Sequence, residues 1–286
     1  MGRISDTDLI LNADGSVYHL SLRPDQLADT ILAVGDPGRV AEVSRYFNHI
    51  EFKSQKREFI THTGTYNGRR ISVISTGIGP DNVEIFFHEI DALVNIDLKT
   101  REPYPSARSL NIIRVGTSGA MQPDIPVGSL VVSDYAAGLD NLMNFYDLPH
   151  QPDEASLAAA IQRHTGISFL PYVTRASVGL REQIGKGLII GNTMTCPGFY
   201  APQGRRVRVP IRYPKLLDDL GSFRSGDFRF MNFEMESSAY FAFGRLMGHQ
   251  TASANAIVAN RATREFAANP HEVVDNLIRR ILEALV

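Results

Sequence analysis

The chain has one cysteine, Cys196, and no tryptophan among its 286 residues. A single thiol excludes an internal disulfide and any multi-cysteine metal site. Charge of one sign is also missing, since 29 Lys and Arg against 31 Asp and Glu leave a formal charge of -2. No bulk basic field exists to hold nucleic acid or an anionic membrane, so any anion site is local. No apolar run reaches the ~20 residues of a membrane helix. The opening Met1-Gly2-Arg3-Ile4-Ser5-Asp6 lacks the charged-then-apolar layout of a signal peptide. A cytoplasmic chain, monomeric or homo-oligomeric, is the expectation. Internal repeats, low-complexity stretches and long linkers are absent as well, which argues for a single domain over 1–286, with 1–17 as an N-terminal extension. What is present is an ordinary globule's composition, 43% hydrophobic and 21% charged, with ample core.

Hydrophobic periodicity organises the rest. Thr30 to Val34 is a short apolar run that stops at Gly35-Asp36-Pro37-Gly38-Arg39. Pro37 suits the first turn of a helix carrying Val40, Val43 and Phe47 inward. Residues 52–76 read as strands around Asn67-Gly68, a strong hairpin signal. From Pro80 to about Asn95 the apolar residues share one helical face. Residues 101–109 read as a polar loop, and Leu110 to Val115 as a buried strand ending at Gly116-Thr117-Ser118-Gly119. Further strands are expected at 128–133, 187–191 and 252–258, and helices at 235–247 and 271–286. Strands alternating with helices, with hairpins mixed in, predict an α/β fold: a three-layer α/β/α domain with a mixed central sheet.

Four segments carry candidate chemistry. Gly35 to Arg39 joins a strand end to a helix start, where backbone N–H groups and an arginine fork suit an anion. Arg114 lies inside an apolar strand, where an unpaired cation is expensive, and glycines and hydroxyls follow it at once. Glu234-Met235-Glu236 brackets a strand-to-helix junction, and its two carboxylates suit the cis-diol of a ribose. Phe199, Gln203 and Arg205 offer an aromatic face, an amide and a guanidinium, the set a flat polar heterocycle needs. Taken singly, each has an ordinary structural reading: a surface turn, a buried ion pair, first-turn acids, an arginine-rich loop.

Taken in order, they resemble a family. Gly35-Asp36-Pro37-x-Arg39, Arg57-Glu58-Phe59, Ser75-Thr76-Gly77-Ile78-Gly79, Arg114-x-Gly116-Thr117-Ser118-Gly119, Phe199-Tyr200-x-x-Gln203-x-Arg205, Glu234-Met235-Glu236-Ser237 and Asn260-Arg261 resemble the uridine-cleaving branch of the nucleoside phosphorylase superfamily. The likeness runs from about Tyr18 to the C-terminus. It implies phosphorolysis of uridine to uracil and ribose 1-phosphate, without metal or organic cofactor and with inorganic phosphate as co-substrate. By resemblance, Gly35, Arg39, Arg114 and Thr117 bind phosphate, joined by Arg57 from a neighbouring subunit. Met235 and Glu236 contact ribose, with a partner-subunit His19 near the 5′-hydroxyl. Phe199, Gln203 and Arg205 hold uracil, helped by Ser118, Gly119, Glu234 and Arg261. The implied partners are a nucleoside, phosphate and further copies of the chain, in a homodimer or a trimer of dimers with shared sites.

Base choice turns on two features. Purine-cleaving relatives carry a Ser-Asp pair after the penultimate strand, where this chain has Ala259-Asn260-Arg261-Ala262-Thr263 and no carboxylate, and it has the Gln203 and Arg205 pair; both favour pyrimidine. A purine nucleoside phosphorylase or a nucleoside hydrolase on the same fold is the alternative, and a non-catalytic nucleoside-binding protein a more distant one. Gly79-Pro80-Asp81-Asn82 departs from the Gly-Gly-Pro-Ser run of the bacterial enzymes, which weighs against their interface monovalent cation.

Overall fold

The apolar run Thr30–Val34 is the first strand, β1, and all five of its residues are buried. The computed structural model describes residues 2–286, and the chain packs as two compact units. Unit 1 takes the chain up to Ile113, with Phe243–Gln250 and Val286; unit 2 takes Arg114–Ala242 and Thr251–Leu285.

In unit 1, helix α1 (Pro37–Ser44) follows β1 with proline in its first turn and Asp36 as cap. It buries Val40 and Val43; Phe47 is also buried, beyond the helix end. Strands β2 (His49–Lys56), β3 (Phe59–Tyr66) and β4 (Arg69–Ser75) occupy the predicted hairpin region. Asn67 and Gly68 turn β3 into β4 with φ of 46° and 81°, the left-handed pair a tight hairpin requires. The order is β1-β4-β3-β2, parallel only between β1 and β4. Helix α2 (Pro80–Asn95) buries Val83, Phe86, Phe87, Ile90 and Leu93 along one face, and the Phe87 ring stacks on Phe243 at 5.8 Å. Two-residue strands β5 (Ile96–Asp97) and β6 (Glu102–Pro103) pair with each other, β6 lying inside the stretch 101–109 expected as loop.

Strand β7 (Asn111–Ala120) carries the chain into unit 2. It continues through Gly116-Thr117-Ser118-Gly119 instead of ending there, because these glycines leave room for the Arg114 side chain and the Phe233 ring. Next come β8 (Leu130–Gly138), α3 (Pro152–Thr165), β9 (Tyr172–Arg175), α4 (Val178–Ile184) and β10 (Ile189–Thr195). After them come α5 (Leu216–Ser222), β11 (Phe230–Glu234), α6 (Ser237–Met247), β12 (Gln250–Asn260), β13 (Glu265–Phe266) and α7 (Pro270–Ala284). Helix α3 was not expected from periodicity: few of its residues are buried, and it is fixed by a Gln151/Glu154 capping box and a left-handed Gly166. The strand order is β13-β12-β8-β10-β11-β7, with β9 along the far half of β8. The pairs of β10 with β8 and β11 are parallel and those of β12 with β8 and β11 with β7 antiparallel, so the sheet is mixed and the fold α/β. Met121, Ile161, Val173, Met194, Phe223, Phe230 and Phe233 belong to one core cluster of this unit. Among the described residues no helix is long and apolar enough to cross a membrane.

Candidate active site

Arg114 on β7 is buried and fully engaged. Its Nη2 lies 2.5 Å from Glu236 Oε2 and 3.1 Å from Glu234 Oε2, and its Nη1 donates to Asn255 Oδ1 on β12 at 2.7 Å. Burial opposes the charge, but the two carboxylates outweigh it and hold the arginine's pKa above its ordinary value. One cation facing two carboxylates is a buried cluster that holds both acids in place.

The junction of β11 and α6 divides the two acids between different tasks. Glu234 accepts the Glu236 and Ser237 backbone N–H groups, each at 2.9 Å, and the Thr195 hydroxyl at 2.7 Å. It therefore caps the free N–H groups of α6, and the helix starts at Ser237 and not at Met235. Glu236 follows the cap and meets Arg114 at the shorter distance. Met235 between them is half-buried. Nearby on β7, the buried Ser118 hydroxyl accepts from Asn232 Nδ2 at 2.9 Å, and Gly119 lies against the Phe233 ring. Thr117 is half-buried.

A second cluster of unit 2 forms after β10. Gln203 is buried at the end of a single 3-10 turn, and Gly204 at φ 67° reverses the chain, a conformation that favours glycine. Arg205 thereby folds back over the Phe199 ring at 3.7 Å and donates to the Phe199 carbonyl at 2.6 Å and to Gln203 Oε1. Phe199 itself stays half-exposed. Burial, and then the charge of Arg261, lower the pKa of Arg205. Arg261 thus adds a second positive charge to the surroundings of this guanidinium.

Unit 1 holds the remaining candidates. Gly35 passes so close to the Gly77 carbonyl that a Cβ would stand 3.2 Å from it. The N-terminus of α1 is capped by its own Asp36, whose Oδ1 accepts from Gly38 N at 2.8 Å, and the half-buried Arg39 lies in the first turn. Arg57 is exposed at the tip of the β2–β3 hairpin, with φ of 54°. His19 Nδ1 lies 2.7 Å from Glu89 Oε1, and Glu89 also accepts the backbone N–H of His19 at 2.8 Å and of Leu20 at 2.7 Å. Lys56, next to Arg57, donates to the Tyr18 carbonyl and to Asn12 Oδ1. His19 and Arg57 are thus mounted on one local network.

Comparison with known proteins decides the family. The family model described as "Phosphorylase superfamily" matches residues 29–286. The chain belongs to the phosphorylase superfamily. Within the superfamily it is 32% identical over 256 residues to a uridine phosphorylase of Thermococcus kodakarensis, covering 88% of this chain and 80% of that one. A DeoD-type purine nucleoside phosphorylase of Streptococcus suis is 27% identical, with 82% of each chain covered. The crystal structure of a Trypanosoma brucei nucleoside phosphorylase, described as showing uridine phosphorylase activity, superposes with a TM-score of 0.90 at 31% identity, covering 97% of this chain and 99% of that one.

Two residues that hold candidates in place, Glu89 in unit 1 and Asn255 in unit 2, escaped the sequence reading. Glu89 is a buried acid on the apolar face of α2, and Asn255 a buried amide inside the apolar strand β12. Each breaks an otherwise apolar pattern, and that break was the available signal.

Proposed function

We propose that the protein is a pyrimidine nucleoside phosphorylase, a pentosyltransferase that cleaves uridine reversibly with inorganic phosphate to uracil and ribose 1-phosphate. The observation that carries this reading is the Arg205 cluster: a buried amide and a guanidinium stacked on an aromatic ring, with the charge of Arg261 acting on it. Two guanidinium groups suit an anion. Uracil becomes one when the C1′–N1 bond breaks and the bonding pair stays on the base.

The rest of the chemistry follows from charge. As the base leaves, C1′ becomes cationic, and a phosphate oxygen forms the new bond to it. Donors at Gln203 and Arg205 strengthen their hold as charge grows on the base, so they favour the transition state over bound uridine. Glu236, oriented by Arg114, accepts hydrogen bonds from ribose hydroxyls and fixes the sugar while C1′ moves. A proton from phosphate or solvent completes the departing uracil, and the balance needs no metal or organic cofactor. The position where purine-cleaving relatives carry an acid supports the pyrimidine reading. Asn260 donates there to the carbonyls of Gln122 and Ile125 and accepts from Ala262 N and Thr263 N. Its amide is wholly occupied in the turn.

The same reading has the enzyme act in the cytoplasm as a homodimer or trimer of dimers. Arg57 and His19 then serve the site of the two-fold partner, which the exposed hairpin tip supports. The test is uridine turnover with and without inorganic phosphate. Ribose 1-phosphate should form only with phosphate; free ribose at an equal rate in phosphate-free buffer would identify a hydrolase instead.

A further inference from the structure

Behind the start of α6 lies a buried polar chain that no step above uses. The Tyr172 hydroxyl lies 2.8 Å from Asp140 Oδ2 and 2.8 Å from Ser238 Oγ. Asp140 also accepts from Leu142 N at 3.0 Å. Tyr172 reaches Asp140 because its ring lies over Gly138, its cross-strand partner, where any Cβ would overlap it. Burial, reinforced by the Asp140 charge, pushes the Tyr172 pKa well above the ordinary tyrosine value.

Donor rules then fix every direction. A carboxylate only accepts, so Tyr172 donates to Asp140, and its oxygen is left to receive the Ser238 hydroxyl. By the same rule Thr195 donates to Glu234, and the Thr195 oxygen receives Ser238 N at 3.0 Å. The Ser238 carbonyl accepts from Thr174 Oγ1 at 3.3 Å. Ser238 is therefore tied at three atoms, to β9 through Tyr172 and Thr174 and to β10 through Thr195. It lies two residues after Glu236, in the first turn of α6. Asp140 is half-buried, burial raises its pKa, and no ion pair to it is present among the described residues; what it does here is hold the acceptor end of this chain.

We propose that Tyr172, backed by Asp140, is a positioning residue for Glu236: it holds Ser238, and with it the first turn of α6, at the setting in which Glu236 meets Arg114 and the ribose. The inference rests on the uridine phosphorylase reading only for the identity of the ligand that Glu236 grips.

The experiment compares Tyr172→Phe, Ser238→Ala and the double variant. Tyr172→Phe deletes the hydrogen bonds to both Asp140 and Ser238, and Ser238→Ala only the one to Tyr172, each with little loss of volume. Uridine kcat should fall about ten-fold in each, since small displacements of a gripping group are costly. KM for phosphate should stay within about two-fold, and the double variant should be no worse than Tyr172→Phe, as expected when both changes remove the shared Tyr172–Ser238 bond. A Tyr172→Phe enzyme with wild-type kcat overturns the proposal, and so do multiplicative losses or a parallel rise in phosphate KM. Amide hydrogen exchange at Ala239 and Tyr240, which donate to the Glu236 carbonyl, gives a readout independent of activity. Exchange there should quicken in Tyr172→Phe while Met194 on β10 stays protected. Unchanged protection overturns the proposal, whatever the substrate. A wild-type enzyme without phosphate-dependent uridine cleavage would instead overturn the functional reading, with the exchange result still deciding the positioning role.

Discussion

The guanidinium of Arg114 lies over Gly116, in the space a side chain there would fill: a Cβ at 116 would stand 2.6 Å from Arg114 Cζ. The two residues share a face of β7, so the strand accommodates a long cation only because the next same-face position is bare. Gly116→Ala should displace Arg114 and leave Glu234 and Glu236 facing each other in a dry site. Breaking a buried pair costs about 3–5 kcal/mol, so thermal unfolding should shift down clearly and kcat/KM should fall at least ~100-fold. A Gly116→Ala enzyme with unchanged melting temperature and turnover would show that the arginine does not need this space.

The Arg205 cluster gives a second prediction. Arg205→Ala and Gln203→Ala should each cost about 2–4 kcal/mol of transition-state stabilisation on uridine, the range for donors to developing charge. Phosphate affinity should change little. Arg205→Lys should not rescue, because an ammonium can neither stack flat on Phe199 nor present the same fork. Steady-state kinetics with each substrate varied separately checks all three, and near-normal uridine turnover in any of them contradicts the assignment of this pocket to the base.

The elements that periodicity placed well are those whose apolar residues define the face. Strand β1 and helix α2 fall where the sequence puts them because Thr30–Val34 and the Val83-to-Val94 face have no competing pattern. Helix α3 was not legible, since caps fix it more than an apolar stripe does. The start of α6 was misplaced by two residues because Glu234 reads as a helical acid until its carboxylate is seen to cap the backbone. In the site, the cost of burying a cation pointed to an anionic partner for Arg114, but nothing in the sequence named Glu234 and Glu236 as that partner. Its third partner, Asn255, lies 141 positions away in sequence, and no local pattern joins them. Nor could spacing show that Arg205 turns back upon Phe199, because Gly204's positive φ decides that.

Asn260 offers a third test, one that runs against a simple reading of base specificity. Placing an acid in this turn, as Asn260→Asp, replaces an amide that donates to Gln122 O and Ile125 O at 2.9 and 2.8 Å. A carboxylate facing two carbonyls is repelled by both. An unsatisfied buried group costs about 1–3 kcal/mol, and more when charged. The variant should melt lower and should not gain inosine cleavage. Inosine turnover at wild-type stability would show that the turn tolerates the acid and that this position does select the base.

The last prediction concerns sharing between subunits. Arg57 stands exposed on a hairpin tip in a left-handed conformation, and Lys56 ties that hairpin to the chain before His19. A group mounted in this way suits a neighbour's site, and in an isologous dimer whatever one subunit lends it also receives. Homodimers of Arg57→Ala and of Glu236→Ala should both be nearly inactive. Refolded together in equal amounts, about half of the dimers are mixed, as random two-fold pairing requires. In each mixed dimer one site carries both lesions and the other carries neither. Activity should therefore return to about one quarter of wild type, a value set by two-fold exchange alone. If Arg57 and Glu236 served the same subunit's site, every site in every dimer would keep one lesion and mixing would restore nothing. A mixture that stays inactive while native mass spectrometry shows mixed dimers would therefore place Arg57 in its own subunit's site.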